Sequence, residues 1–446
     1  MQKRAFEMLR RLTVTKILFL CYFLIVVVGA AILSLPVSVR AGESHRVLDG
    51  FFTSASAACV TGLVRFDTYS HWSPFGQAVI LVLIQVGGIG FMTLCVSALS
   101  VTRHRIGLVF RSLTQNAVSA PELGGIVRSA KFIVIFTAAV ETAGAILLSF
   151  WFCPRYGTLR GIWYSVFHSV SAFCNAGFDL MGGTSPFSSF TSASGSAYLN
   201  IVIMLLIIFG GLGFFTWRDI FMTKCRVRRF KLQTKVVLSV SAALTVIGAV
   251  LFYVLERVSG SGSATVLEAV FQSVTCRTAG FNTVNLAALS QSTKLVMIAL
   301  MLVGGAPGST AGGIKVTTAA VLAVSVRSTL RQRRSAEMFG RRLDDTSTRT
   351  AVCVLMMYLG LALTSSVVLN LFDGVGMLDA MFESFSAVAT VGLTVGATPT
   401  LGAVSALVLS ALMIFGRVGS LTMLFALASE KGRTASSLPL EKLQIG

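Results

Sequence analysis

The sequence predicts an all-α polytopic membrane protein made of four copies of one unit: a span, a short re-entrant pore helix, a filter loop and a second span. Three observations predict it. Of 446 residues, 54% are hydrophobic and 12% charged, with mean hydropathy +0.80, whereas soluble domains carry about 25% charged residues. The tetrapeptide Val60-Thr61-Gly62-Leu63 recurs as Asn175-Ala176-Gly177-Phe178, Thr278-Ala279-Gly280-Phe281 and Thr390-Val391-Gly392-Leu393, each after an apolar run containing Phe-x-Ser. A second mark, Gly-(Gly/Arg)-x-(Gly/Pro)-x-x-Thr, follows each at Gly87, Gly210, Gly304 and Gly416. Two marks in one order, four times, define an internal repeat with a period near a quarter of the chain.

Apolar segments at 16–39, 75–101, 132–152, 198–217, 235–255, 294–303 with 314–326, 350–372 and 400–429 are long enough to span or nearly span, since about 20 apolar residues cross the hydrocarbon core. That gives eight transmembrane helices. Between each pair lies a shorter apolar run, at 47–58, 162–174, 267–276 and 378–389, too short to cross and read as re-entrant. The expected organisation is a cytoplasmic segment 1–15, repeats at 16–101, 132–217, 235–326 and 350–430, and a cytoplasmic tail 431–446. The net charge is +19, and 27 of the 37 Lys and Arg fall in 1–16, 102–131, 218–235, 327–349 and 430–446. The positive-inside rule then places both termini and every inter-repeat connection in the cytoplasm. These basic runs read as topology signals and contacts to anionic lipid rather than to nucleic acid, and part of them is free to dock a cytosolic partner.

Four parallel units can close around one axis in fourfold pseudo-symmetry. A short helix entering from outside points the negative end of its dipole at the membrane centre, and the loop after it presents carbonyls inward. A ring of backbone carbonyls replaces the hydration shell of a monovalent cation. Glycine is needed there because the backbone crowds the axis and takes conformations closed to other residues. The expected lining is the backbone of Val60, Thr61, Gly62, Asn175, Ala176, Gly177, Thr278, Ala279, Gly280, Thr390, Val391 and Gly392. The competing reading is helix contact through small residues, which fourfold recurrence at matched depth disfavours.

The second mark reads as helix packing in repeats one and two. In repeat three, residues 303–313 hold Gly304, Gly305, Pro307, Gly308, Ser309, Thr310, Gly312 and Gly313, which no stable helix accommodates. Irregular backbone at membrane depth survives only in protein or along a water-filled cavity. In repeat four the second position is Arg417, a charge expected to face the interior. Together these form a gate: a loop across the cavity, with Arg417 bonded to its carbonyls as a positive barrier. The run 308–315 resembles a phosphate loop, but Ile314 separates the last glycine from Lys315 and nucleotide binding is rejected. Glu141 lies inside a span and reads as a hydrogen-bonding partner of a neighbouring helix or re-entrant loop. Cys59, Cys174 and Cys276, just before the first-mark glycines, read as small buried residues. An intramembrane enzyme would need a nucleophile–base pair or a metal cluster, and the four histidines are scattered; a receptor-like scaffold would not need four re-entrant runs.

These residues resemble the Trk/Ktr/HKT superfamily of potassium transporters over essentially the whole chain. The most specific pieces are Thr278-Ala279-Gly280-Phe281-Asn282, residues 304–315 and Arg417. Within the superfamily the chain is similar to the bacterial Ktr membrane subunit, because its first span starts near Lys16 without two extra spans before it. The resemblance implies one filter glycine per repeat, K+ as the transported ion with Na+ dependence, a homodimer with one pore per protomer, and a cytosolic ring of nucleotide-binding (RCK-type) subunits controlling the gate, in the bacterial cell membrane. A Trk-type or less selective Na+/K+ permease is the alternative. Two departures stand out: Asn175-Ala176 lacks the hydroxyl found before the other glycines, and repeat two has a longer outer connection.

Overall fold

The computed structural model describes residues 14–44, 46–90, 93–94, 96–97, 115, 126–183, 185–260, 264–333 and 335–418. The expected cytoplasmic tail 431–446, nearly all of 1–15 and the second-mark residues beyond Val418 lie outside them. In chain order the helices are α1 (Val14–Leu33), α2 (Val47–Ala58), α3 (Thr68–His71), α4 (Pro74–Ile89), α5 (Ile126–Tyr156), α6 (Thr158–Phe173), α7 (Ala197–Gly211), α8 (Phe214–Met222), α9 (Leu232–Val258), α10 (Val266–Thr275), α11 (Gln291–Leu302), α12 (Val316–Leu330), α13 (Asp345–Asp373), α14 (Met377–Val388) and α15 (Ala403–Val418).

Local chemistry sets their ends. Ser73 caps α4, its hydroxyl accepting from the Gly76 N–H at 3.2 Å with Pro74 in the first turn, where a missing N–H costs nothing. Thr265 and Glu268 make a reciprocal capping box on α10. Gly374 ends α13 in the left-handed conformation.

Helices α1, α2 and α4 pack together, as do α5, α6 and α7, then α9 with α10 and α11, and α13, α14 and α15. The contacts between groups follow a cycle. Helix α4 packs on α6, α7 on α10, α11 on α14, and α15 returns to α2. Each second helix thus leans on the short helix of the next group, and the last closes on the first.

The Phe-x-Ser residues explain how the short helices dock. Phe52, Phe167, Phe271 and Phe382 are all fully buried. Ser54, Ser169 and Ser273 donate at 2.7 Å to the carbonyls of Val26, Glu141 and Thr245 on their own first helices. Gly29, Gly144 and Gly248 lie three residues beyond those carbonyls, and a Cβ at any of them would collide with the serine hydroxyl. In the fourth group Leu359 stands 25 residues before Ser384, where the other groups have glycine, and the buried Ser384 hydroxyl has no hydrogen-bond partner among the described residues.

Several expected boundaries need correction. The spans 132–152 and 235–255 are longer, reaching Tyr156 and Val258, and the re-entrant run expected from 162 begins at Thr158. The span expected at 198–217 is broken: α7 and α8 meet at 89°, with Gly213 at φ 85° between them. The span expected at 75–101 breaks at Gly90, with φ 86°. In both places a glycine turns the backbone left-handed, which apolar patterning does not reveal. Among the described residues, α1, α5, α9 and α13 are long and apolar enough to cross a membrane, and the α7–α8 pair makes a fifth if counted as one. A two-stranded hairpin, β1 (Glu337–Met338) with β2 (Arg341–Arg342), interrupts the otherwise helical chain between α12 and α13.

Substituting Gly144→Val forces a side chain into the Ser169 hydroxyl and into Leu206, whose Cδ2 lies 2.7 Å from the new Cβ. Overpacking of this kind costs about 1–3 kcal/mol, so the purified protein in detergent should melt several degrees lower than wild type, while Gly360→Val, which meets nothing within 4 Å, should melt as wild type does.

Candidate functional site

Three of the short helices end alike. In α2, α6 and α14 the capping residue is followed by one in the left-handed region: Val60 at φ 57°, Asn175 at 58° and Thr390 at 52°. The next N–H then reaches back five residues, Thr61 to the Ser56 carbonyl at 2.8 Å, Ala176 to Ser171 at 2.7 Å and Val391 to Ser386 at 2.8 Å. This is a Schellman helix end, with Val, Asn and Thr in the position that usually takes glycine. Such residues cost about 1–2 kcal/mol there. Helix α10 has one residue fewer before its glycine. Its left-handed residue is Thr278 at φ 71°, and the Ala279 N–H reaches the Thr275 carbonyl at 3.0 Å.

The glycines follow at once, all left-handed: Gly62, Gly177, Gly280 and Gly392, at φ 93°, 70°, 84° and 90°. The structure brings them into one ring. A Cβ on Gly62 would strike the Ala176 carbonyl oxygen and lie 3.0 Å from the Gly177 Cα. On Gly177 it would meet the Ala279 oxygen at 2.9 Å, and on Gly280 the Val391 oxygen at 2.8 Å. On Gly392 it would strike the Thr61 oxygen and lie 3.0 Å from the Gly62 Cα. Each glycine abuts the carbonyl that precedes the next glycine, and the fourth abuts that of the first. No side chain larger than hydrogen fits at any of the four. Phe178, Phe281, Leu63 and Leu393, the residues after them, are fully or nearly fully buried.

The second-mark glycines support this ring from behind. A Cβ on Gly87, Gly210 or Gly416 would collide with the carbonyl oxygen of Ala58, Phe173 or Val388, the last residues of α2, α6 and α14. The second helices therefore press directly on the ends of the short ones. In the third group Gly304 instead faces Gly312 within the irregular stretch.

That stretch, residues 303–315, is tied down along its length. Gly304 N–H donates to Ile314 O at 2.8 Å and Val316 N–H to Gly305 O at 3.0 Å, closing its base. Ala306 N–H donates to Gly211 O at 2.9 Å, and Gly308 O accepts from Phe214 N–H at 2.9 Å, both at the α7–α8 break. The Ser309 hydroxyl holds Ala306 O at 2.6 Å, and Lys315 Nζ holds Ala311 O at 2.6 Å. A Cβ on Gly305 would meet the Ala311 Cβ at 2.5 Å, one on Gly312 would strike the Thr390 hydroxyl, and one on Gly313 would lie 3.2 Å from Ala389 O. Carbonyls of Pro307 and Gly308 face Gly213. The Thr310 hydroxyl donates to Phe173 O at 3.2 Å. Arg417 donates through Nη1 to Thr310 O and through Nη2 to Gly87 O and Gly88 O, the last at 3.1 Å. One guanidinium thus joins the irregular stretch to α4.

Other charged groups brace the ring. Arg65 pairs with Asp49 in the first turn of α2 at 2.9 Å and donates to Leu401 O at 3.1 Å. Lys294 pairs with Asp379 in the first turn of α14 at 3.0 Å. Both carboxylates sit where a helix dipole favours negative charge. Glu141 accepts from Gln85 at 2.9 Å and lies 3.7 Å from the Cys174 sulfur, so this intramembrane carboxylate serves a neighbouring helix and the short helix end.

The sequence reading missed two sets of residues. The hydroxyls of Ser56, Ser171, Thr275 and Ser386 bond the backbone at or just after the ring. In three of the four copies the middle residue of Phe-x-Ser bonds the chain beyond it: His168 Nε2 accepts from Leu180 N–H at 3.2 Å, Gln272 donates to Thr283 at 3.3 Å, and Glu383 accepts from Thr394, Val395 and Thr398. A polar residue amid an apolar run was the available signal.

A family model described as "TrkH: Cation transport protein" matches residues 14–436. The chain belongs to this family. It is 36% identical to the potassium/sodium uptake protein NtpJ of Enterococcus hirae, over 98% of both chains. It is 36% identical to the Ktr system potassium uptake protein B of Bacillus subtilis, over 94% of both. The fold matches that of the potassium transporter TrkH from Vibrio parahaemolyticus with TM-score 0.70 at 19% identity, over 93% of this chain and 84% of that one. The protein is therefore a multi-pass membrane protein of a transporter family, and the family match runs over residues 14–436.

Just past the ring, Asp179 is half-buried beside Asp67 in the connection after α6. Burial, and then the Asp67 carboxylate, push its carboxyl up to about 7 against hydrogen bonds from Met181 and Ser189. Folded protein thus keeps a proton that the unfolded chain releases, so stability falls as pH rises from the ordinary 3.8 through about 7. Asp179→Asn should melt a few degrees above wild type at pH 8, with the gap closing toward pH 4; an equal gap at both pH values would rule out this account.

Proposed function

We propose that this protein is the ion-translocating membrane subunit of a potassium uptake system, with K+ passing through the ring of carbonyls set by Gly62, Gly177, Gly280 and Gly392. The observation that carries this is the mutual contact of the four glycines, each against the carbonyl before the next. Carbonyls converging on one axis from four helix C-terminal ends offer oxygen ligands and a negative dipole end to a dehydrating cation. On this reading the four groups form a fourfold pseudo-symmetric pore of eight spans, counting α4, α7 with α8, α11 with α12, and α15 as second spans, and α2, α6, α10 and α14 as pore helices. Both termini face the cytoplasm of a bacterial cell, following the Lys and Arg distribution.

The stretch 303–313 with Arg417 is the gate. It lies against the C-terminal ends of α6 and α14, Thr310 on Phe173 O and Gly313 beside Ala389 O, and Arg417 ties it shut by holding Thr310 O to α4. A fixed guanidinium there also repels cations. Opening needs these bonds exchanged, and the proposed driver is a cytosolic ring of nucleotide-binding subunits acting on a homodimer. The name of the potassium/sodium relative from Enterococcus hirae favours a second reading, in which Na+ is also carried or required. Asn175-Ala176, without a hydroxyl, is where discrimination would be weakest.

The test is ion uptake in a bacterium lacking its own potassium transport, expressing the full chain. Gly280→Ser places a side chain against the Val391 oxygen and the Gly177 Cα, both at 2.8 Å, and should weaken apparent K+ affinity at least tenfold with sodium present or absent; wild-type affinity in that variant would sink the potassium path. Arg417→Ala should raise K+ flux severalfold, and unchanged flux there and on shortening 303–313 would remove the gate.

A further inference from the structure

Each short helix carries a hydroxyl in its last turn, five or six residues before its glycine, and the four hydroxyls do not make the same bond. Ser56 accepts from the Gly62 N–H at 3.0 Å, and Ser386 from the Gly392 N–H at 3.1 Å. Ser171 instead donates to the Phe178 carbonyl at 2.7 Å, and Thr275 to the Phe281 carbonyl at 2.6 Å.

The direction matters because the N–H and C=O of a trans peptide point opposite ways. Holding the Gly62 N–H back against α2 turns the Thr61 carbonyl away from it, and the Thr61 oxygen does lie against Gly392, the neighbouring glycine of the ring. Holding the Gly392 N–H back does the same for Val391, whose oxygen lies 2.8 Å from a Cβ placed on Gly280. In the second and third groups the bond acts one residue further out. It draws the carbonyl after the glycine back toward its own short helix.

We propose that these hydroxyls are positioning residues that set cation discrimination. Ser56 and Ser386 aim the Thr61 and Val391 carbonyls at the axis, while Ser171 and Thr275 hold the Phe178 and Phe281 carbonyls off it. The inference rests on the reading of the ring as the potassium path. It adds that the hydroxyl contacts are not fourfold: two adjacent quarters have the carbonyl of the residue after the glycine held by a hydroxyl. The number and field of coordinating carbonyls govern which monovalent cation sheds its water there. Freeing the two held carbonyls adds ligands, and loosening the two aimed ones weakens the ring.

The experiment uses the full chain in the same uptake-deficient bacterium, reading apparent KM for K+ and Rb+, inhibition by Na+, maximal rate and membrane abundance. Thr275→Val and Ser171→Ala should shift the Rb+/K+ ratio of KM by about three- to tenfold, the range one hydrogen bond supports. Ser56→Ala should reduce discrimination against Na+ by a similar factor. Thr275→Ser keeps the hydroxyl and should restore the wild-type ratio. The idea fails if these variants reach the membrane with wild-type ratios, or if Thr275→Ser shifts the ratio as far as Thr275→Val. Should one variant not accumulate, the Ser/Val pair at position 275 decides alone. Gly280→Ser separates the two levels. A shift there without any in the hydroxyl variants removes this inference only, and no shift in either removes the potassium path itself.

Discussion

The architecture depends on one close approach: four backbone strands meeting where no Cβ fits, at Gly62, Gly177, Gly280 and Gly392. A bilayer interior offers no water to exposed N–H and C=O groups, so non-helical backbone there must be satisfied by protein or by what occupies the cavity. The helix ends before these glycines meet that demand by turning their N–H groups backward onto their own last turns. The carbonyls before these glycines lie each against the neighbouring glycine of the ring, and on the proposed reading a passing cation is what they coordinate. Structure and proposed activity thus follow from the same arrangement.

Close backbone approach recurs at the next level. Gly87, Gly210 and Gly416 let the second helices press onto the last carbonyls of the short ones, and Gly29, Gly144 and Gly248 admit a serine from the short helix onto the first. The short helix is gripped on both sides, which fixes the height of its terminal carbonyls. On the proposed potassium path, that grip holds the ring carbonyls in place to meet a dehydrating ion. The left-handed Val60, Asn175, Thr278 and Thr390 are strained residues held in place by this packing.

The groups that break the repeat are the ones with chemistry of their own. In the third group the second helix dissolves into 303–315, and in the fourth a glycine is replaced by Arg417, which reaches across to bond it. Arg417 donates to three carbonyls, so its charge is met by backbone dipoles. Those partners can be exchanged for water more cheaply than a buried carboxylate could be, which suits the proposed gate. Lys294 with Asp379, and Arg65 with Asp49, are full ion pairs, and they sit at the short helices' first turns, where rigidity rather than motion is needed.

Composition alone determined the membrane class, and recurrence alone singled out the short apolar runs and the four glycines that the structure brings into contact. Those are properties of composition and recurrence, and recurrence survives without coordinates. It also marked 303–313 and Arg417 as departures, because a repeat makes its exceptions visible. Tertiary structure decided what depends on direction. The breaks at Gly90 and Gly213 are single dihedral choices inside apolar runs, and hydropathy is blind to them. The cycle α4 to α6, α7 to α10, α11 to α14 and α15 to α2 requires knowing which group lies beside which. Ser56 and Ser171 occupy equivalent places in the repeat, yet one accepts from an N–H and the other donates to a carbonyl. A hydroxyl can do either, and only the orientation of the peptide it meets selects between them.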